Sequence, residues 1–152
     1  MSNSQSQSET AEVTVSAEVI STITVDKISD IDFGEISAGI QSVIAADGTE
    51  AGQINISSTG DGTEFVVSWT VDDMTLSGDT ETMSLTLDIQ GSDTEGDQTT
   101  LFELEENKSY YTSPTTTDRL ESVFIGATVD PTSTQSTGEY NSTITFTFET
   151  VI

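Results

Sequence analysis

The sequence contains no cysteine and no histidine. Without cysteine there is no disulfide, no thiol nucleophile and no Cys-based zinc site. Without histidine, the side chain that most often moves protons near neutral pH is missing, together with the commonest imidazole metal ligand. A Ser-His-Asp or Cys-His centre cannot be assembled from this chain alone. Basic residues are scarce as well: Lys27, Lys108 and Arg119 stand against 27 acids, and the formal net charge is −24. A field of that sign repels phosphate, so neither nucleic acid nor anionic lipid is an expected partner. No apolar run approaches the roughly 20 residues of a membrane-spanning helix, and no membrane insertion is expected.

What is present is a chain of 152 residues, enough for one domain with its own core and no need of a covalent or metal staple. The acids are spread along the chain rather than gathered in a tail, the pattern of a solvated acidic surface on a folded domain. Salt would relieve the self-repulsion of such a surface, which suits a halophilic setting or bound divalent cations. Residues 1–10 are polar and rich in Ser and Gln, and are expected to form a disordered tail. They hold no hydrophobic core of a signal peptide, so the chain is expected either to stay inside the cell or to follow a leader already removed.

From residue 11 the pattern changes to strict alternation. Val13, Val15, Ala17, Val19, Ile23 and Val25 share one parity, and Glu12, Thr14, Ser16, Glu18, Thr22 and Thr24 the other. Period 2 with β-branched residues predicts a half-buried strand. From Ala11 to Asp26 it would run roughly 50 Å, over twice the usual length. Shorter runs follow at Ile54–Ile56, Phe65–Val71, Met83–Ile89, Val123–Val129 and Tyr140–Ile152, separated by Gly, Asp, Ser and Thr. Only Leu101 to Asn107 has room for a turn of helix. The reading is an all-β, antiparallel β-sandwich, a single domain over residues 11–152 with an extended first strand.

Two segments carry a resemblance. Residues 28–39, Ile-Ser-Asp-Ile-Asp-Phe-Gly-Glu-Ile-Ser-Ala-Gly, are followed by 52–60, Gly-Gln-Ile-Asn-Ile-Ser-Ser-Thr-Gly. Near the other end, Gly126-Ala-Thr-Val-Asp-Pro131 runs on to Gly138-Glu-Tyr-Asn-Ser-Thr-Ile-Thr-Phe-Thr-Phe148. Together these resemble the pilin-like and adhesin-like β-sandwiches of secreted bacterial and archaeal surface proteins. The resemblance implies an Ig-like or pilin-like sandwich, export, and a role as filament subunit or surface module. It carries no catalytic residues.

The candidate sites follow from the same residues. Val13, Val15, Ala17 and Val19 form a surplus apolar row beyond what one strand of a sandwich needs, and an exposed row of this kind is a pairing hazard. Residues 11–20 are therefore a candidate donor strand for a neighbouring copy by β-augmentation. The alternative is a bend near Ile20-Ser21 that carries the segment to the second sheet of its own domain. Asp93, Glu95 and Asp97 offer alternating oxygen ligands and make calcium the one candidate cofactor, although their spacing is not that of an EF-hand. Asn55, Asn107 and Asn141 head glycosylation sequons, and Tyr110-Tyr111 is a candidate ligand-contacting patch. Lys27 and Asn141, at the end of the first strand and the start of the last, are a candidate isopeptide pair. Carboxylate pairs such as Asp72-Asp73 point to opposite faces of a strand and do not converge for catalysis. The expected role is a structural subunit of an extracellular filament or pilus at the cell surface, with other copies of itself as partners and no enzymatic activity. A monomeric adhesin or carbohydrate-binding module, calcium-stabilised, is the second expectation, and a salt-adapted intracellular β-protein the third.

Overall fold

Where period-2 runs find a partner they become strands. The computed structural model describes residues 7–151, and within them the chain is all-β, with no helix. Residues 1–6 of the polar tail and Ile152, expected to close the last strand, lie outside the described residues. The strands are β1 (Ile23–Ser29), β2 (Ser42–Ile44), β3 (Gly52–Ser58), β4 (Glu64–Val71), β5 (Met74–Leu76), β6 (Thr82–Ser92), β7 (Phe102–Glu103), β8 (Ser109–Tyr111), β9 (Ser122–Asp130), β10 (Tyr140–Asn141) and β11 (Ile144–Thr150). The expected turn of helix after Leu101 is instead β7, which pairs with Gln90 and Gly91 of β6. Phe102 is drawn into the sheet because its ring stacks on Tyr110, with centroids 6.0 Å apart.

The larger sheet is antiparallel in the order β1-β3-β9-β6-β5-β10, with β2 added at β9 and β7 at β6, and it curls into a half-barrel. Its axis is β9. One edge of β9 pairs with β6 from Ser84↔Asp130 to Ser92↔Ser122. The other edge is shared: β3 takes Ser122–Ile125 and β2 takes Ala127–Val129. At the changeover sits Gly126, where a Cβ would lie 2.6 Å from Ala46 N and 2.7 Å from Ile44 O. Only glycine lets the backbone cross that closely.

The smaller sheet has the order β11-β4-β8. Its strands β4 and β11 pair from Ile144↔Val71 to Thr150↔Phe65. The core lies between the two sheets, with Phe65 and Val67 from β4, Tyr110 from β8, Ile56 from β3 and Val123 from β9, all 1% exposed or less. Burying side chains of this size contributes roughly 1.5–3 kcal/mol each.

The registers define two ends. At one end lie Ile23, Ser58, Ser122, Ser92, Phe65 and Thr150. Ser29, Gly52, Asp130, Ser84, Val71 and Ile144 mark the other. The first end is sealed by polar bonds: the Ser58 and Thr112 hydroxyls are 2.7 Å apart, and Thr63 N donates to Thr112 Oγ1 at 2.9 Å.

Candidate functional site

The expected 50 Å strand is realised only in part. Ladder pairing begins at Ile23, and residues 7–22 belong to no strand. Thr22 is still fixed at the sealed end: its N donates to Thr59 Oγ1 at 3.0 Å, and its carbonyl accepts from Thr59 N at 3.0 Å. Ahead of it every residue from Gln7 to Ser21 is exposed. Val13, Val15 and Val19 stand 88%, 89% and 97% open to solvent, Ile20 67%, and Ala17 is exposed with them. The bend into the second sheet of the same domain is not made. The surplus apolar row is covered by nothing among the described residues.

At the opposite end the two sheets part around a groove of about 1280 Å³. Its floor is the inward face of the large sheet, with Leu85 and Leu87 of β6, Ile125 of β9 and Ile54 of β3. Ile144 and Phe146 of β11 form its wall. All but Ile125 are only half-buried although they point inward. The groove lies between β1 and β11, the edge strands of their sheets, and each keeps an outer edge that pairs with no strand among those described. Unpaired N–H and C=O groups along an edge strand are a template for another strand. On β11 the parity is clean: Ile144, Phe146, Phe148 and Thr150 turn inward, while Thr145, Thr147 and Glu149 face water.

The rim is acidic. Asp30, Asp32, Glu35 and Glu139 line it beside a single base, Lys27. The Lys27 ammonium sits 3.1 Å from Asp30, and both side chains are largely exposed, so this pair contributes little. Lys27 and Asn141 both border the groove, but each is engaged elsewhere, Lys27 with Asp30 and Asn141 Nδ2 donating to Ser77 Oγ at 3.2 Å. The loop before β10 is held by one carboxylate. Glu81 accepts from Ser136 N and Ser136 Oγ, each at 2.7 Å, and from Gln135 Nε2 at 3.0 Å, while Tyr140 Oη lies 2.8 Å away. These bonds, that from Ser136 N first, hold the Glu81 carboxyl below its ordinary range. Tyr140 is pushed up, first by loss of solvent around its hydroxyl.

Elsewhere the candidate residues separate. Asp97 accepts from the Thr99 hydroxyl at 2.6 Å and from Thr99 N at 2.9 Å, bonds that hold its carboxyl below the ordinary range. Glu95 accepts from Asn55 Nδ2 at 3.0 Å, and Asp93 from the Thr94 hydroxyl at 3.1 Å. The three carboxylates thus serve three different donors, and no group of three acids placed to hold a metal ion occurs among the described residues.

Asn55 lies on β3 between β1 and β9, and its Oδ1 accepts from Ser122 Oγ at 2.7 Å. Asn141 is exposed on β10. Asn107 is exposed in a turn with φ 62°. Tyr110, read as a contact residue, is instead core at 1% exposure, and its hydroxyl is satisfied by accepting from Glu105 N at 3.0 Å. Of that candidate patch only Tyr111, half-buried, is left.

Sequence reasoning singled out the surplus apolar row of residues 11–20, with two fates open to it, and missed the groove. Leu85, Leu87, Ile144 and Phe146 read as ordinary core because alternation does not say whether the facing strand is there. No protein-family model, curated protein or solved structure matches the chain.

Proposed function

We propose that the chain is a structural subunit of an extracellular filament or pilus, an Ig-like, pilin-like sandwich in which neighbouring copies are joined by strand exchange. Its role is mechanical rather than catalytic, its partners are other copies of itself, and its place is the cell surface. One observation carries this reading: residues 11–20 leave the alternating apolar row Val13, Val15, Ala17 and Val19 open to water, with no partner among the described residues. Left free, that face is an association site whatever the protein does.

The arm also leaves the fold at one end of the molecule while the groove opens at the other. A contact between two different surfaces of one chain is head-to-tail, and it builds an open filament whenever the rotation from copy to copy does not close a ring. Copies of charge −24 repel one another, and screening reduces that cost, so assembly is expected to rise with salt.

Electron microscopy of the full chain at low and at molar sodium chloride tests the reading. Filaments are expected, more and longer at high salt. A chain lacking residues 1–19 should form none and should recover assembly only when residues 12–19 are restored ahead of Ile20. Filaments from the truncated chain, or a full chain that stays monomeric at high concentration in molar salt, would contradict the reading.

A further inference from the structure

Resting on that reading, we infer that the groove between β1 and β11 is the acceptor site, and that its occupant is the segment Glu12–Ile20 of a second copy of this chain. The segment adds as a strand to the free edge of β11. Val13, Val15, Ala17 and Val19 then cover Leu85, Leu87, Ile54, Ile125, Ile144 and Phe146.

Size is the first argument. At about 1280 Å³ the groove exceeds the roughly 300–1000 Å³ of small-molecule pockets, and it runs along a strand edge as a peptide site does. Parity is the second. The strand β11 sends Ile144 and Phe146 into the groove and Thr145 and Thr147 to water. An added strand must do the same, and the arm divides in that way: the row from Val13 to Val19 is apolar, while Thr14, Ser16 and Glu18 are polar. Length is the third. The nine residues from Glu12 to Ile20 extend roughly 30 Å, enough to cover the seven residues of β11.

The occupant is a second copy because the chain's own arm is badly built to return. The arm leaves at Thr22, which Thr59 holds from both its N–H and its carbonyl, at the end of the fold opposite the groove. Reaching the groove from there requires a hairpin through Val19-Ile20-Ser21. That stretch has no Gly, Asn, Asp or Pro, whereas tight hairpin turns need positive φ, which β-branched residues resist. Ser21 is confined as well: a Cβ on Gly60 would fall 2.1 Å from the Ser21 hydroxyl, so the arm root lies tight against that turn.

The test uses two populations of the full chain, one isotopically heavy and one light, mixed at high concentration in molar salt. The light copy carries the photoreactive residue benzoylphenylalanine at position 15 or, in a second variant, at position 19, so that a bulky probe which blocks one pocket leaves the other. A third variant carries it at position 16, on the polar face. After irradiation, mass spectrometry reads the cross-links, and electron microscopy of the same sample reads assembly independently.

The expected result is heavy–light cross-links from positions 15 and 19 to peptides holding Leu85–Leu87 or Ile144–Phe146, at least tenfold above those from position 16. Cross-links between copies to any other surface, with filaments present, would overturn the acceptor site and leave the filament reading standing. Light–light cross-links into the groove within one chain would overturn the second copy as occupant. No cross-link between copies from either probe position would overturn the inference as a whole.

Discussion

The two ends of the core differ in how completely they are built. Phe65, Val67, Tyr110, Leu120 and Val123 are each 1% exposed or less, and beside them the Thr112 hydroxyl is bonded to the Ser58 hydroxyl and accepts from Thr63 N. Around Leu85, Leu87, Ile54, Ile144 and Phe146 the same inward parity leaves side chains half-open to a groove. Both ends have strands of ordinary sequence. The difference is one neighbour: the sealed end has β8 and the loops around Leu104 and Leu120 packed against it, while beside β11 at the other end there is no further strand among the described residues. A core can therefore be finished at one end and wait for a segment at the other.

Substitution at the two ends should give the largest contrast. Phe65→Ala removes a fully buried ring from the sealed end and is expected to cost about 3–5 kcal/mol of folding stability. Leu87→Ala in the groove should cost the unassembled chain about 2 kcal/mol or less, because part of its surface already faces water. Urea titration of the monomer compares them directly. Equal losses would mean that the groove is as closed as the core.

The arm supplies a second contrast, within a single strand. Val15→Asp changes a side chain that is 89% exposed in the free chain, so its melting midpoint should stay where it was. Subunit association should weaken by about 2–3 kcal/mol, on the order of 30- to 150-fold, from losing a buried Val and burying a carboxylate. Ser16→Asp, on the other face, should change association by less than about 0.5 kcal/mol. Analytical ultracentrifugation across a concentration series reads both. Indistinguishable variants would remove the face-specific burial on which strand exchange depends.

Much of this was legible in the sequence, for identifiable reasons. The runs at Phe65–Val71, Met83–Ile89, Val123–Val129 and Ile144–Phe148 appear as strands because alternation with β-branched and aromatic residues has few other solutions. Strand order was not legible: nothing local in Val123–Val129 says that it lies at the centre, with β2 and β3 sharing one edge. The short strands β2, β7 and β10 are fixed by partners distant in sequence rather than by their own pattern. The row from Val13 to Val19 was visible because it alternates. That it would stand free was not, since a paired and an unpaired strand share the same period. The groove escaped for the mirror-image reason, as Leu85 and Leu87 carry the alternation of a filled core.

The smallest effect expected concerns the rim. Hydrogen bonds led by Ser136 N depress the Glu81 pKa from its ordinary 4.5. A carboxylate whose folded value lies below its unfolded one adds stability above the unfolded value and loses it as pH falls through the folded one. Glu81→Gln should therefore melt slightly below the parent at neutral pH, and the two curves should converge as the medium becomes acidic below about pH 4.5. Amide exchange over residues 135–141 should quicken in the variant at neutral pH, while the sealed end stays unchanged. A constant gap between the two melting curves down to low pH would assign the loop's anchorage to other contacts.

Amide hydrogen exchange over residues 12–20 tests the central claim most directly. In dilute, low-salt monomer these amides should exchange at the rate of an unstructured peptide, since the arm makes no ladder with any of the described residues. In assembled material at molar salt they should be protected by several orders of magnitude, to the level of the β9 amides, because they would then bond along the edge of β11. Protection already present in the monomer, or its absence in the assembly, would contradict the account.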